Sequence, residues 1–344
     1  MTADLVAAAQ AGDETAFTAL VERHRAELRV HCYRMVGSLD EAEDLVQETF
    51  LRAWRRRETY EGRSTFRAWL YRIATNACLD LLDGRARRVL PHHLSPPQAP
   101  GAEAVGRGDV GWLQPFPDRL LEPVAPRDAE PDAVAVTRET IELAFLAAIQ
   151  HLPPTQRAVL ILRDVLGWPS RQVADLLDTS GAAVNSALQR ARATMRERLP
   201  ERRLDWPASA SVSEEERAVL RRYMAAVEHA DLAAVAGLLA EDVRATMPPF
   251  PLWFQGRDAV VASLAESWDP RLPAFVGRFR TLAIEANRRP AIAAYVRKDG
   301  DTAYRAFAIS VLRIDAGRIS ELTAFHDTGL FAAFGVPGEL PADR

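Results

Sequence analysis

The residues best equipped for chemistry in this chain lie at 170–194, SRQVADLLDTSGAAVNSALQRARAT. Ser186, Gln189 and Arg190 offer donors and acceptors that match base edges, while Arg192 and Arg196 carry fixed charges suited to phosphates. Behind them Val184, Leu188, Ala191 and Met195 return at helical spacing and predict an inner face. Ser180 is placed to cap that helix, and Asp178 sits at a turn whose positive φ an Asp tolerates better than a β-branched residue. The small Ala174 lets the preceding helix cross closely. A helix, a tight turn and a second helix of this kind is how a helix-turn-helix presents side chains to a major groove. The same pattern also describes a surface hairpin of helices with solvated arginines.

A second stretch, DEAEDLVQETFLRAWRRRETYEGRSTFRAWLYRIATNACLDLLDGRARR, places Asp40, Glu41, Glu43, Asp44 and Glu48 ahead of a basic run through Arg52, Arg57 and Arg63. Phe66, Trp69 and Tyr71 then alternate with Arg67 and Arg72. An acidic helix suits a basic protein partner, and aromatics beside arginines can stack bases drawn out of a duplex. Phe66, Trp69, Leu70 and Ile73 also fit a helical core stripe, and the acidic run reads equally as a solvated face.

These elements need a scaffold, and its organisation is legible in outline. A length of 344 residues predicts two or three domains. The net charge of −4 excludes a globally basic protein, so nucleic-acid binding has to come from local patches. Cys32 and Cys78 lack CxxC or His-rich company and read as buried small hydrophobes in a reducing compartment. No signal peptide and no apolar run near membrane-spanning length occurs, which predicts a soluble cytoplasmic protein without membrane partners. No phosphate loop, nucleophile elbow or metal spacing appears, so no metal and no cofactor are expected.

Residues 4–90 are helical throughout and nearly free of proline. Residues 91–132 are dense in Pro, Gly and Asp and read as a linker. Within it WLQPFPDRLLEP is an apolar knot, and Trp112, Leu113, Phe116, Leu120 and Leu121 are too hydrophobic to stay in water, so the knot is expected to dock. Residues 133–203 are helical again. Residues 213–335 begin with two helical patterns and continue as AFVGRFRTLAIEA, AIAAYVRK, AYRAFAISVLRID and GRISELTAFH, with turns at Asp299-Gly300 and Ala316-Gly317. The predicted fold is therefore multidomain: two all-α domains, the second a helix-turn-helix, and an α+β domain with a curled antiparallel sheet.

Taken together, the two helical blocks resemble a bacterial sigma factor of the extracytoplasmic-function group. DEAEDLVQETFLRAW with FRAWLYRIATNACLDLLD is similar to its second region, and HLPPTQRAVLILRDVLGWPSRQVADLLDTSGAAVNSALQRARA to its fourth. The resemblance implies binding to core RNA polymerase, at the β′ coiled coil and the β flap, with recognition of the −35 and −10 promoter elements and opening of the duplex. By position it implies that Asp44, Gln47 and Glu48 dock on the β′ coiled coil. It further implies that the segment from Arg57 through Tyr60 and Arg63 to Phe66 captures an unstacked −10 base, with Arg67, Trp69 and Arg72 on the helix that follows. Ser180 to Arg192, including Asn185, match the −35 helix. Two positions depart from the commoner pattern: Asp178 stands where Gly is frequent, and Asn185 where Lys is frequent. The second removes a phosphate-binding charge and weakens −35 binding without abolishing it.

Residues 213–335 resemble the cone-shaped SnoaL-like fold, also used by nuclear transport factors and ketosteroid isomerases, and WLQPFPDRLLEP resembles the inter-region motif of sigma factors that carry this domain. Enzymes with this cone move a proton beside a carbonyl, and His326, Asp327, Tyr295 and Tyr304 are the candidates here. No clear acid–base pair emerges, so the chain is expected not to be an enzyme. Three functions stay in view: a sigma factor modulated by its cone, a helix-turn-helix regulator whose cone senses a small ligand or regulator, and a cone isomerase or hydrolase fused to a DNA-binding domain. The polymerase-docking helix and melting loop favour the first.

Overall fold

The computed structural model describes residues 2–62, 64–102, 105–106, 109–121, 142–199 and 212–342. They form two compact units, one from the ranges 1–88 and 120–208, the other from 89–119 and 209–344.

The first unit is helical. It runs through α1 (Thr2–Gln10), α2 (Glu14–Glu22), α3 (Arg25–Val36), α4 (Leu39–Arg55) and α5 (Phe66–Leu82). It continues with α6 (Leu143–Ile149), α7 (Pro154–Leu160) with a π-helical end at Ile161–Val165, α8 (Ser170–Leu176) and α9 (Gly181–Arg198). Local chemistry sets the boundaries. Asp13 accepts from Thr15 N and Ala16 N to start α2, and Ser38 and Thr65 start α4 and α5 in the same way. Gly37, at φ 71°, turns the chain sharply after α3. The apolar stripes of α3, α4 and α5 then pack together, burying Leu28, Met35, Leu45, Val46, Leu70 and Ile73. Cys32 and Cys78 are both buried and free.

The second unit opens with α10 (Glu214–Glu228) and α11 (Leu232–Leu238), followed directly by β1 (Leu239–Thr246) and β2 (Trp253–Gln255). Helix α12 (Arg257–Trp268) precedes β3 (Arg278–Ala286), β4 (Arg289–Arg297), β5 (Ala303–Asp315) and β6 (Arg318–Phe325). The short α13 (Leu330–Phe334) and β7 (Glu339–Pro341) complete it. Strand order is β2-β1-β6-β5-β4-β3, with β7 beside β5. All pairs are antiparallel except β1 with β6. Val219, Leu220, Tyr223 and Val227 of α10 meet Ile292, Leu312 and Ile319 on the sheet. This is the α+β arrangement expected, with hairpins at Gly300 and Gly317, both at positive φ.

The stretch read as a linker is not a free tether over 89–119, because it belongs to the second unit. Val89 bridges Trp112, and Trp253 Nε1 donates to the Ser95 carbonyl at 2.8 Å.

Candidate nucleic-acid interface

Helix α9 buries Val184, Ala187, Leu188, Ala191 and Met195 on its inner side. Ser180 Oγ accepts from Ala183 N at 3.1 Å, and the turn before it is made by Asp178 at φ 50°. Asn185, Ser186, Gln189, Arg190, Arg192 and Arg196 are exposed. Two hydrogen bonds organise this face: Ser170 Oγ donates to Asn185 Oδ1 at 3.0 Å, and Arg190 donates to Ser186 Oγ at 2.7 Å. Arg192 behaves differently. It forms a bidentate pair with Asp164 at 2.8 and 2.7 Å, and that hydrogen bonding holds its guanidinium above the usual range. Of the two arginines expected at phosphates, Arg196 is on the exposed face and Arg192 is tied to Asp164.

In the N-terminal block Tyr60, Phe66 and Trp69 form a ring cluster with centroid separations of 5.4–5.5 Å. All three are half-buried, so Trp69 is neither a core residue nor a fully open platform. The loop that brings Tyr60 back onto α5 turns at Gly62, φ 68°, and is closed by Tyr60 Oη donating to the Ser64 carbonyl at 2.8 Å. Arg57 lies over the Trp54 ring at 4.4 Å and donates to its carbonyl. Arg63 lies outside the described residues. A half-buried aromatic cluster at a helix start offers ring faces against which a base can stack.

Helix α4 presents Asp40, Asp44, Gln47 and Leu51 as one exposed stripe at spacings of four, three and four. Leu51, 51% exposed, was missed by reading carboxylates alone, although its spacing from Gln47 marks it as part of that surface. Glu48 is half-buried and accepts from Arg52, which also reaches Asp80.

Arg67 and Arg72 are placed differently from the expectation of open contacts. Arg67 is only 8% exposed, and its Nε donates to Glu27 at 2.7 Å. Burial alone would raise the Glu27 carboxyl, but the hydrogen bond with His24 and the charge of Arg67 hold it below its ordinary value. The Arg67 guanidinium also lies over Tyr71 and Trp168, at 5.0 and 5.6 Å. Arg72 pairs with both oxygens of Asp178, at 2.7 and 2.8 Å. The cause is that α5 packs against Trp168 and the helix-turn-helix turn, contacts that no local pattern announces.

In the second unit, Trp112, Leu113 and Phe116 are buried; Leu120 and Leu121, also expected to dock, are half-buried and belong to the first unit. Phe116 N donates to Asn287 Oδ1 at 2.8 Å, and Asn287 N donates back to the Phe116 carbonyl at 2.9 Å. Asn287 and Arg288, at φ 53° and 59°, form the β3–β4 turn, and Arg288 N donates to the Asp118 carboxylate. Arg119 donates to the Ala333 and Ala332 carbonyls at the end of α13. Gly335 leaves room for it, since a Cβ there would stand 3.2 Å from Arg119 Nε. Burial pushes the Asp118 carboxyl up to about 6.

The four residues weighed for proton transfer do not converge. His326 packs between Phe250 and Phe307, and burial lowers its imidazole to about 4. Asp327 accepts from Gly329 N, Tyr295 donates to the Pro337 carbonyl, and Tyr304 is flanked by Arg280 and Arg297.

Residues 20–88 match the Sigma-70 region 2 family, 142–195 the Sigma-70 region 4 family and 220–322 the SnoaL-like domain. The chain is 46% identical over 94% of its length to the ECF RNA polymerase sigma factor SigG of Mycobacterium tuberculosis, covering 85% of that protein. It is 28% identical over 55% of its length to SigW of Bacillus subtilis, covering 91% of it. In fold it is similar to the crystal structure of the M. tuberculosis sigma factor SigJ, with a TM-score of 0.56 at 23% identity over 93% of this chain and 99% of that one. With both sigma regions in order ahead of a SnoaL-like domain, the chain belongs to the ECF RNA polymerase sigma factors.

Proposed function

We propose that this sigma factor divides its work among the surfaces described above. The exposed α4 stripe of Asp44, Gln47 and Leu51, flanked by Glu48, docks on the β′ coiled coil of core polymerase. The Tyr60–Phe66–Trp69 cluster, with Arg57 and Arg63 in the same loop, receives a −10 base. Arg72 supports the adjoining strand. Asn185, Ser186, Gln189 and Arg190 read the −35 element in the major groove, Ser180 fixes the helix start, and Arg196 meets a phosphate, while the β flap holds this domain at its distance from the first.

The observation that carries this reading is the pairing of an outward polar face on a capped recognition helix with a half-buried aromatic cluster on a separate helix. A regulator that only binds duplex DNA has no use for the second. The SnoaL-like domain acts as a regulator and not as an enzyme, through the segment 89–119 that it binds. That segment precedes region 4 in the chain, so its attachment sets how much chain is left to span the two promoter elements. The site of action is the cytoplasm, where core polymerase is. Run-off transcription with purified core polymerase tests the reading, comparing the full chain with one ending near residue 203. The full chain directs initiation, and removal of the SnoaL-like domain changes the yield severalfold. Failure of the full chain to co-elute with core polymerase, where another sigma factor does, refutes it.

A further inference from the structure

Glu27, on α3, stands behind the aromatic cluster at the start of α5 and gathers three partners there. Its Oε1 meets His24 Nδ1 at 2.5 Å, and its Oε2 accepts from Arg67 Nε at 2.7 Å and from Tyr71 Oη at 3.3 Å. The Glu27 and Arg67 side chains are 13% and 9% exposed, so the pair is nearly out of water. His24 carries the network forward, because its ring also stands 6.1 Å from that of Phe66.

Helical spacing gives this arrangement its direction. Arg67 and Tyr71, four positions apart, share one face of α5, while Phe66 and Trp69, three apart, share the neighbouring one. A carboxylate that grips the first face fixes the rotation of the second about the helix axis, and with it the ring faces of the cluster. Thr65 Oγ1, accepting from Ala68 N, fixes the start of the same turn. Stability alone does not account for the carboxylate. A buried ion pair gains little over apolar packing, since desolvation offsets most of its attraction, whereas its directional bonds hold a geometry. Arg67, 8% exposed, is accordingly placed to hold α5 and not to meet DNA.

We propose that Glu27 is a positioning residue of the −10 site, a role that rests on reading the Tyr60–Phe66–Trp69 cluster as the base-binding surface. Through Arg67, Tyr71 and His24 it holds the cluster in the arrangement that receives an unstacked base. Glu27 touches no base itself and acts only through those rings.

The test uses the full chain bound to core polymerase, on a promoter it initiates from, pre-melted over the −10 element. Abasic substitution along the non-template strand locates the captured base. It is the position whose loss weakens the wild-type complex most, by roughly five- to a hundredfold. Glu27→Gln keeps the shape and removes the charge. It is expected to shrink that factor by roughly threefold or more, while binding the abasic template as wild type does. An undiminished factor, or an equal loss on both templates, overturns the positioning role and leaves Glu27 a purely structural ion. Where Glu27→Gln does not fold, His24→Ala decides, at a side chain 21% exposed. It too is expected to shrink the factor, and no change overturns the proposal. The underlying reading is tested apart by Tyr60→Ala. If that variant also leaves the factor intact, the cluster is not the base site. If it abolishes the factor while Glu27→Gln does not, the cluster stands and only the role of Glu27 falls.

Discussion

Replacing Phe116 by Ala should release the strap that the SnoaL-like domain holds. Phe116 is fully buried, and both its backbone groups bond to Asn287. Burying Trp112, Leu113 and Phe116 supplies roughly 1.5–3 kcal/mol each. Five hydrogen bonds, between Phe116 and Asn287 in both directions and at Leu113, Asp118 and Arg119, add about 1 kcal/mol each. Ordering residues 112–119 costs ~8–16 kcal/mol of backbone entropy. Docking is therefore close to balance, and losing one buried ring, ~3–5 kcal/mol, tips it. The assay is hydrogen exchange at the amides of Leu113, Phe116, Asn287 and Arg288, all donors in the docked strap. Their exchange should accelerate by roughly 10²-fold or more. Amides of α9 in the other unit serve as an internal standard. Unchanged exchange at these four amides in a folded variant refutes the balance, and with it the idea that docking is adjustable.

Arg190→Ala should cost roughly 1–3 kcal/mol of binding and relax preference at one base pair, whereas Arg196→Ala should weaken all sequences alike and reduce the salt slope by about one; competition binding across promoter variants separates the two. Tyr60→Ala should impair opening of duplex promoter by roughly 1–3 kcal/mol while sparing a pre-melted template, read by permanganate footprinting. Asp118→Asn addresses pH. A carboxyl raised from 3.8 to about 6 binds its proton more tightly when docked, so docking is strongest below pH 4 and weakens as pH rises through about 6. The full effect is bounded at ~3 kcal/mol, and Asp118→Asn should make strap protection, the exchange rate relative to that of the unstructured amide at the same pH, independent of pH between 4 and 7.

Helix α9 was legible because its signals are local. Ser180, Asp178 and the spacing of Val184, Leu188, Ala191 and Met195 are fixed by one turn and one helix, and the structure places them accordingly. The β3–β6 meander was legible for the same reason, since each hairpin joins neighbours in the chain. Strand β1 was not. Its LAEDVRAT carries two adjacent acids, and it is a strand because Arg244, Ala245 and Thr246 lie parallel to Glu321, Leu322 and Thr323 far along the chain. The Pro- and Gly-rich stretch misled in the opposite direction. Its composition forbids a helix but not adhesion, and Phe116 and Asp118 find their partners in a turn at Asn287–Arg288 that no nearby residue could signal.

The candidate site divides along the same line. Outward side chains on a single helix, such as Gln189 and Arg190, could be assigned from spacing, whereas Arg67, Arg72 and Arg192 could not. Each of those three looks like a free cation in sequence, and each is held by an acid from 28 to 106 positions away: Glu27, Asp178 and Asp164. An arginine count therefore overstates the charge this chain offers to DNA. On the proposed division of surfaces, affinity for DNA rests on cations left facing outward, such as Arg190 and Arg196, and on the aromatic cluster, so the strength of promoter binding is a property of the fold and not of the composition.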